Sequence, residues 1–364
     1  MTPRSFALTQ CAAALALGLT LAGLASAQTA PIVAAPYYSA EQALQGLYTH
    51  HLPPLVRDFQ AQADRLVETT ARHCKGQATL PALLAQWQDT LVSWETLSTP
   101  AVGPLVARRS QRQIDFWPTR PDLLRRSMEK TPDTLADMER VGTPAKGFPA
   151  FELLLNQWAG SRQPAPAPAC RYAELVAQGI AAEARALNDE LGQWATKEWD
   201  DEPEVTTASL AEWVNQWLAG LERLRWAHIE KPITTHQTTG NAARGAPVPY
   251  ARLDRESNLR DWRAQWQSLR QQGRLPPGAQ PPAAGQALVP MEALLMGRGQ
   301  LALAQKWGQA LDTVTAGMDK LTPRSSEREL LALTKSMKAV TVLFQNEVAA
   351  ALDVPLGFSD ADGD

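Results

Sequence analysis

"LPALLAQWQDTLVSWE", Leu80 to Glu95, decides the fold class. Leu80, Leu83, Leu84, Trp87, Leu91 and Trp94 recur at steps of three and four residues, which lays one apolar stripe along an α-helix. The same period returns at Leu210, Trp213, Trp217, Leu221 and Leu224, and again at Leu333, Met337, Val340, Phe344 and Val348. Alternating runs rich in Val, Ile and Thr, which would mark half-buried strands, are absent. The chain reads as all-α, with long helices joined by loops, and therefore as helical bundles.

Proline-rich and acidic stretches punctuate the helices. "SRQPAPAPAC" (161–170) and "QGRLPPGAQPPAAGQ" (272–286) read as extended connectors, and "KEWDDEPEV" (197–205) is an acidic break between two halves, 28–200 and 201–364. Each half contains a Pro and then a Glu entering an apolar run: "FPAFELLL" (148–155) and "VPMEALLM" (289–296). This pairing suggests an internal duplication of a unit resembling a four-helix bundle.

Residues 1–27 read as a cleaved signal peptide: Arg4 supplies the positive start, "CAAALALGLTLAGLA" the apolar stretch and "ASA", ending at Ala27, the small-residue cleavage site. The exported chain is thus expected in a bacterial periplasm. No later segment is apolar enough to span a bilayer. A net charge of −3 with dispersed basic residues argues against nucleic-acid binding. Cys11 leaves with the signal, and Cys74 and Cys170 remain. In an oxidising compartment that pair reads as a disulfide, the alternative being two separate buried thiols.

The familiar catalytic signatures are missing. There is no H-E-x-x-H zinc helix and no G-x-S-x-G elbow, and "GTPAKGF" (142–148) lacks the Gly-Lys-Ser/Thr ending of a phosphate loop. His50, His51, His73, His228 and His236 have no partner at helical ligand spacing and read as surface or interface residues. "DADGD" (360–364) begins like a calcium loop but ends before the required Glu, so it reads as an acidic tail.

Two stretches hold the candidate site. In "RQIDFWP" (112–118), Arg112, Asp115 and Trp117 are grouped beside a proline. In "GFPAFELLLNQW" (147–158), Gly147 permits a tight helix entry, Pro149 suits a first turn, and Glu152 reads either as a helix-dipole acid or as a ligand. A buried Glu152 would need a cationic partner, for which Arg112 is the candidate.

These stretches, with "WETLSTPAVGPL", "CRYAELV" and the ending "NEVAAALDVPLGFSDADGD", together resemble the imelysin-like family, also called peptidase M75, in that family's order and over essentially the whole exported chain. The resemblance implies a two-part all-helical protein of the periplasm or outer surface, associated with bacterial iron acquisition. It also implies a hallmark G-x-H-x-x-E motif near the junction of the halves, with an iron or other divalent metal ion as its cofactor. Here Gly147 and Glu152 match the motif, but Pro149 stands at the histidine and offers a metal no lone pair. Any metal would need Glu152 with other carboxylates, for which Glu95, Asp115 and Glu292 are the candidates.

The resulting expectation is a non-enzymatic protein that binds a ligand or partner between its bundles. The partner would be a membrane iron-transport component or an outer-membrane receptor. The alternatives are a peptidase of unconventional design and a scaffold for a transport complex.

Overall fold

The computed structural model describes residues 35–160, 165–239 and 245–357. The expected signal peptide (1–27) and the acidic tail (360–364) lie outside the described residues.

The apolar stripes become helices, and no strand occurs among the described residues. Helix α1 (Ala40–Gln45) passes through a π-helical turn, Gly46–His51, into α2 (Leu52–Cys74), which packs against α3 (Leu80–Ser98). Four short helices follow: α4 (Pro104–Ala107), α5 (Ser110–Ile114), α6 (Pro121–Glu129) and α7 (Leu135–Met138). Helix α8 (Gly147–Ala159) lies against α3 and against the long α9 (Ala167–Trp194), which also packs along α2. Cys74 and Cys170 form a disulfide that joins the end of α2 to the start of α9.

In the second half, α10 (Pro203–Glu222) continues through an eight-residue π-helical segment, Arg223–Glu230, into α11 (Lys231–Thr238). A strap with neither helix nor strand, residues 245–254, leads to α12 (Arg255–Gly273). Helices α13 (Met291–Gly297), α14 (Leu301–Lys320) and α15 (Glu327–Leu343) follow, and a third π-helical turn, Phe344–Val348, leads into α16 (Ala349–Ala351). Helix α12 packs chiefly on α3 and also on α10 and α14, so it forms a seam between the helices before residue 200 and those after it.

The stripes meet in one continuous core that contains Trp87, Trp94, Trp213, Trp217 and Trp307, all fully buried. Trp217 stacks on Phe344 with ring centroids 5.6 Å apart. Leu84 departs from its stripe and is 38% exposed. No described helix is long and apolar enough to cross a membrane.

Candidate functional site

Glu95 lies one helical turn beyond Leu91 on the buried face of α3, so the apolar stripe carries it into the seam, where it is fully buried. Asp115 follows the last residue of α5 and is also buried. From the other half, Asn258, Asp261, Gln265, Ser268 and Gln272 recur along α12 at steps of three and four, and all five are buried. The helical period here carries polar groups, and each finds a partner across or within the seam. Ser268 Oγ donates to the Thr96 carbonyl at 2.9 Å, and Gln272 Oε1 accepts from Trp213 Nε1 at 2.7 Å. Gln265 Nε2 meets His228 Nδ1 at 3.1 Å.

Arg252 is the centre of this seam. The strap delivers it, and its backbone is pinned to α12: Arg252 N donates to Asn258 Oδ1 at 3.0 Å, and Asn258 Nδ2 donates to the Arg252 carbonyl at 2.8 Å. The guanidinium is buried among three carboxylates. Nη1 and Nη2 donate to the two oxygens of Asp115 at 2.8 and 2.9 Å, Nη2 also donates to Glu95 Oε1 at 2.9 Å, and Nε donates to Asp261. The two-pronged contact with Asp115 has the fork geometry suited to a carboxylate. A second guanidinium, Arg223, lies half-buried nearby and donates to Thr99 Oγ1 at 2.9 Å.

Three carboxylates on one guanidinium cannot all carry charge comfortably away from water. Burial, reinforced by the Asp115 and Asp261 carboxylates, pushes Glu95 well above the usual carboxylate range. Burial also opposes ionisation of Asp115, but the Arg252 guanidinium outweighs it and holds Asp115 below its ordinary value. Asp261 is raised by burial to about 6, against the pull of Arg252. Glu95 is therefore the carboxylic acid of the cluster and Asp115 its anion. That assignment accounts for Glu95 Oε2, a buried oxygen with no donor among the described residues. Asp261 Oδ1, Gln265 Oε1 and Arg223 Nε are likewise without a partner.

Glu152 adjoins this cluster. It sits in the second turn of α8, so the first-turn dipole reading does not apply. Its partner is tertiary: Oε1 accepts from the Leu253 backbone N–H at 2.8 Å, one residue beyond Arg252. Burial raises it to about 7, partly offset by Arg252 and by that N–H. Arg112, expected as its partner, is exposed on α5, and Arg252 is the nearby cation instead. Trp117 is half-buried at the edge of this region.

Gly147 is required by two constraints at once. Its φ is +68°, and a Cβ there would stand 2.0 Å from the Ile114 carbonyl oxygen. Pro149 occupies the first turn of α8, where no intrahelical N–H bond is lost. The entry to α8 is thus pressed onto the end of α5, which places Asp115 and Glu152 on the same seam. Outside this junction opens a cleft of about 430 Å³, lined by Gly147, Ile114, Lys146, Leu135, Met138 and the α9 face at Gly179.

Glu292 lies apart from the cluster. It binds Arg274 and accepts from the Leu275 N–H at 2.8 Å. The parallel with Glu152 is close: each glutamate accepts from a leucine N–H that follows an arginine, and the two Arg-Leu pairs flank α12 at its opposite ends.

The four carboxylates considered as metal ligands are therefore distributed over other partners. Glu95 and Asp115 bind Arg252, Glu152 binds the strap backbone and Glu292 binds Arg274. Among the described residues, no three His, Cys, Asp or Glu side chains converge with metal-site geometry. The donor set fits a guanidinium and does not fit a metal ion.

Sequence reasoning missed Arg252, Asp261, Gln265 and His228. The polar period on α12 was the available signal for Asp261 and Gln265. His228 lies on the π-helical segment, whose wider turn brings residues five apart toward a common face, so α-helical spacing could not associate it with Arg223. The structure sets this half-buried histidine against the seam, where burial and then the Arg223 and Arg252 charges lower it to about 3.

The family model described as imelysin, peptidase M75, matches residues 47–353. A solved imelysin-like protein from Psychrobacter arcticum 273-4 is similar in fold, with a TM-score of 0.66 and 17% sequence identity, over 89% of this chain and 99% of that one. A protein from Parabacteroides distasonis ATCC 8503, named as an iron-regulated protein A precursor, gives a TM-score of 0.60 and 14% identity over 86% of this chain and 92% of that one. No curated protein matches the sequence.

Proposed function

This chain belongs to the imelysin family, and on that premise we propose that it is a non-enzymatic exported protein of bacterial iron acquisition, holding a ligand or partner beside the seam between its two halves. The observation that carries the reading is the 430 Å³ cleft that opens at Gly147, where α8 is pressed onto the end of α5; every residue lining it lies between Arg108 and Glu183. Its α9 side presents Leu175, Val176 and Ile180, and the Arg108–Glu183 ion pair and the half-buried Lys146 supply charge. Concavity, an apolar lining and a few polar groups are what a binding site needs. The iron connection is supported by family membership and by the iron-regulated name of the Parabacteroides relative. Export to the periplasm is supported by the residue pattern ending at Ala27, and division into bundles of 28–200 and 201–364 by the acidic break near residue 200. The partner would be a membrane iron-transport component or outer-membrane receptor.

Gly179 provides the test. It lines the cleft, and a Cβ added there meets no atom within 4 Å, so a larger side chain fills the cleft without disturbing the core. In cells lacking this protein, the wild type should restore growth under iron limitation, and a folded Gly179→Leu variant should not. Equal restoration by both would remove the cleft from the proposal.

The peptidase alternative has one observation in its favour, the acid and anion pair formed by Glu95 and Asp115 around Arg252 Nη2. Both carboxyl groups are buried and bonded to Arg252, which counts against their reaching a substrate. Cleavage of a peptide library by wild type that is lost in Glu95→Gln would reverse this assignment. A scaffold without a small ligand would use the same cleft for a protein partner.

A further inference from the structure

We propose that Arg252 is the resident cation of this site: its guanidinium holds the position that a divalent cation would take among Glu95, Asp115 and Asp261, and its removal uncovers a latent metal site. The inference concerns the buried seam and does not depend on what occupies the cleft.

Three observations carry it. Arg252 is almost wholly buried, and four of its N–H groups are spent on three carboxylates from three separate elements, α3, the end of α5 and α12. That convergence of oxygens from distant elements is the arrangement that hard cations use, at oxygen distances of about 2.0–2.6 Å. Here the oxygens close instead on a planar, singly charged fork.

The guanidinium is also a fixed part of the site. Its backbone is tied to Asn258 on one side, and the next residue, Leu253, is tied to Glu152 on the other. A metal ion could enter only by displacing a side chain whose main chain is anchored at two points.

The carboxylates further exceed the charge of the guanidinium they surround, and Glu95 Oε2 and Asp261 Oδ1 keep unpartnered oxygens. With the guanidinium gone, Glu95, Asp115 and Asp261 would lose the cation they directly bind, and only Arg223, which bonds to Thr99, would remain nearby. A cation would then be bound by the groups that now exclude it. Pro149, which supplies no metal donor, is consistent with a site whose cation comes from the chain itself.

The test is calorimetric titration of the full chain with Mn²⁺, together with melting temperatures in the presence and absence of the ion. Wild type should show no saturable Mn²⁺ binding and no change in melting temperature. Arg252→Ala should melt lower than wild type, bind Mn²⁺ saturably where wild type does not, and recover melting temperature as Mn²⁺ is added. Millimolar guanidinium should also stabilise this variant, the opposite of its usual effect. Arg252→Lys, which retains a charge, should not acquire Mn²⁺ binding, and Glu95→Gln added to Arg252→Ala should abolish the acquired binding.

Saturable Mn²⁺ binding by wild type that disappears in Glu95→Gln would overturn the proposal. So would a folded Arg252→Ala that responds to neither Mn²⁺ nor guanidinium. If Arg252→Ala accumulates as insoluble protein, refolding it with and without Mn²⁺ decides the matter: recovery only with the ion supports the proposal, and no recovery in either case overturns it.

Discussion

Asp115 and Arg252, 137 residues apart in sequence, meet through two parallel hydrogen bonds of 2.8 and 2.9 Å in a place water does not reach. One belongs to the end of a five-residue helix, α5, and the other to the strap before α12, so the pair ties that strap to the end of α5.

Removing Asp115 takes away the two-pronged partner of a buried guanidinium and leaves it to Asp261 and Glu95. Asp115→Ala should therefore cost more than about 1 kcal/mol, up to the roughly 3–5 kcal/mol of a buried pair broken with no remaining partner, read from chemical denaturation. Arg112→Ala, which removes an exposed charge three residues earlier, should lie within about 0.5 kcal/mol of wild type. Similar losses for the two variants would show that the seam is not organised around Arg252.

Glu152 makes a pH prediction with a definite sign. Its folded value of about 7 lies above its ordinary one of 4.5, so the folded state retains a proton that the unfolded state has lost. Its contribution to stability is complete below the unfolded value and is lost as pH rises through about 7. Glutamine imitates the protonated acid and can still accept from Leu253 N–H. Glu152→Gln should match wild type in melting temperature at pH 4 and exceed it at pH 8. A variant less stable than wild type at pH 8 would contradict the raised value.

His228 acts in the opposite direction. Burial and two arginines hold it near 3, so the unfolded state binds its proton first as the solution is acidified. The stability due to neutral His228 is complete above its ordinary value of 6.5 and falls between there and about 3. His228→Gln should flatten that acid limb, and comparison of its melting temperatures at pH 5 and pH 7.5 with those of wild type measures the effect.

Gly147→Ala tests the junction of α5 and α8. The left-handed backbone alone costs an L-residue about 1–2 kcal/mol. The methyl group would also strike the Ile114 carbonyl, which is main chain and cannot swing aside. The variant should lose more stability than Gly179→Ala, whose Cβ enters open space. Equal melting temperatures for the two would refute the contact.

Reduction should lower stability without parting α2 from α9, which pack along each other. The Cys74–Cys170 bridge closes a loop of 96 residues, and Cys74→Ser should cost about 2–5 kcal/mol, read from denaturant midpoints under oxidising conditions.

The apolar period by itself determined that Leu83, Trp87, Leu91 and Trp94 form one buried face, because that inference needs only the 100° step of a helix and the cost of wetting large side chains. The glycine at 147 and the proline at 149 were legible for the same local reason, since backbone conformation depends on the residue and its immediate neighbours. An expected oxidising compartment, with Cys11 set aside in the expected signal peptide, pointed to the pairing of Cys74 with Cys170 that the fold contains. The charged residues were not legible in this way. Glu152 looked like a helix-start acid and Arg112 its partner because they belong to neighbouring motifs, whereas the cation that reaches this acid's surroundings is 100 residues further on. Asp261 and Gln265 look in sequence like the solvated face of a polar helix, and only the packing of α12 on α3 turns that face inward. Whether a charged side chain faces water or another charge is decided by what folds over it. The elements could therefore be read from the sequence, and the ionic centre that joins them was set by tertiary structure alone.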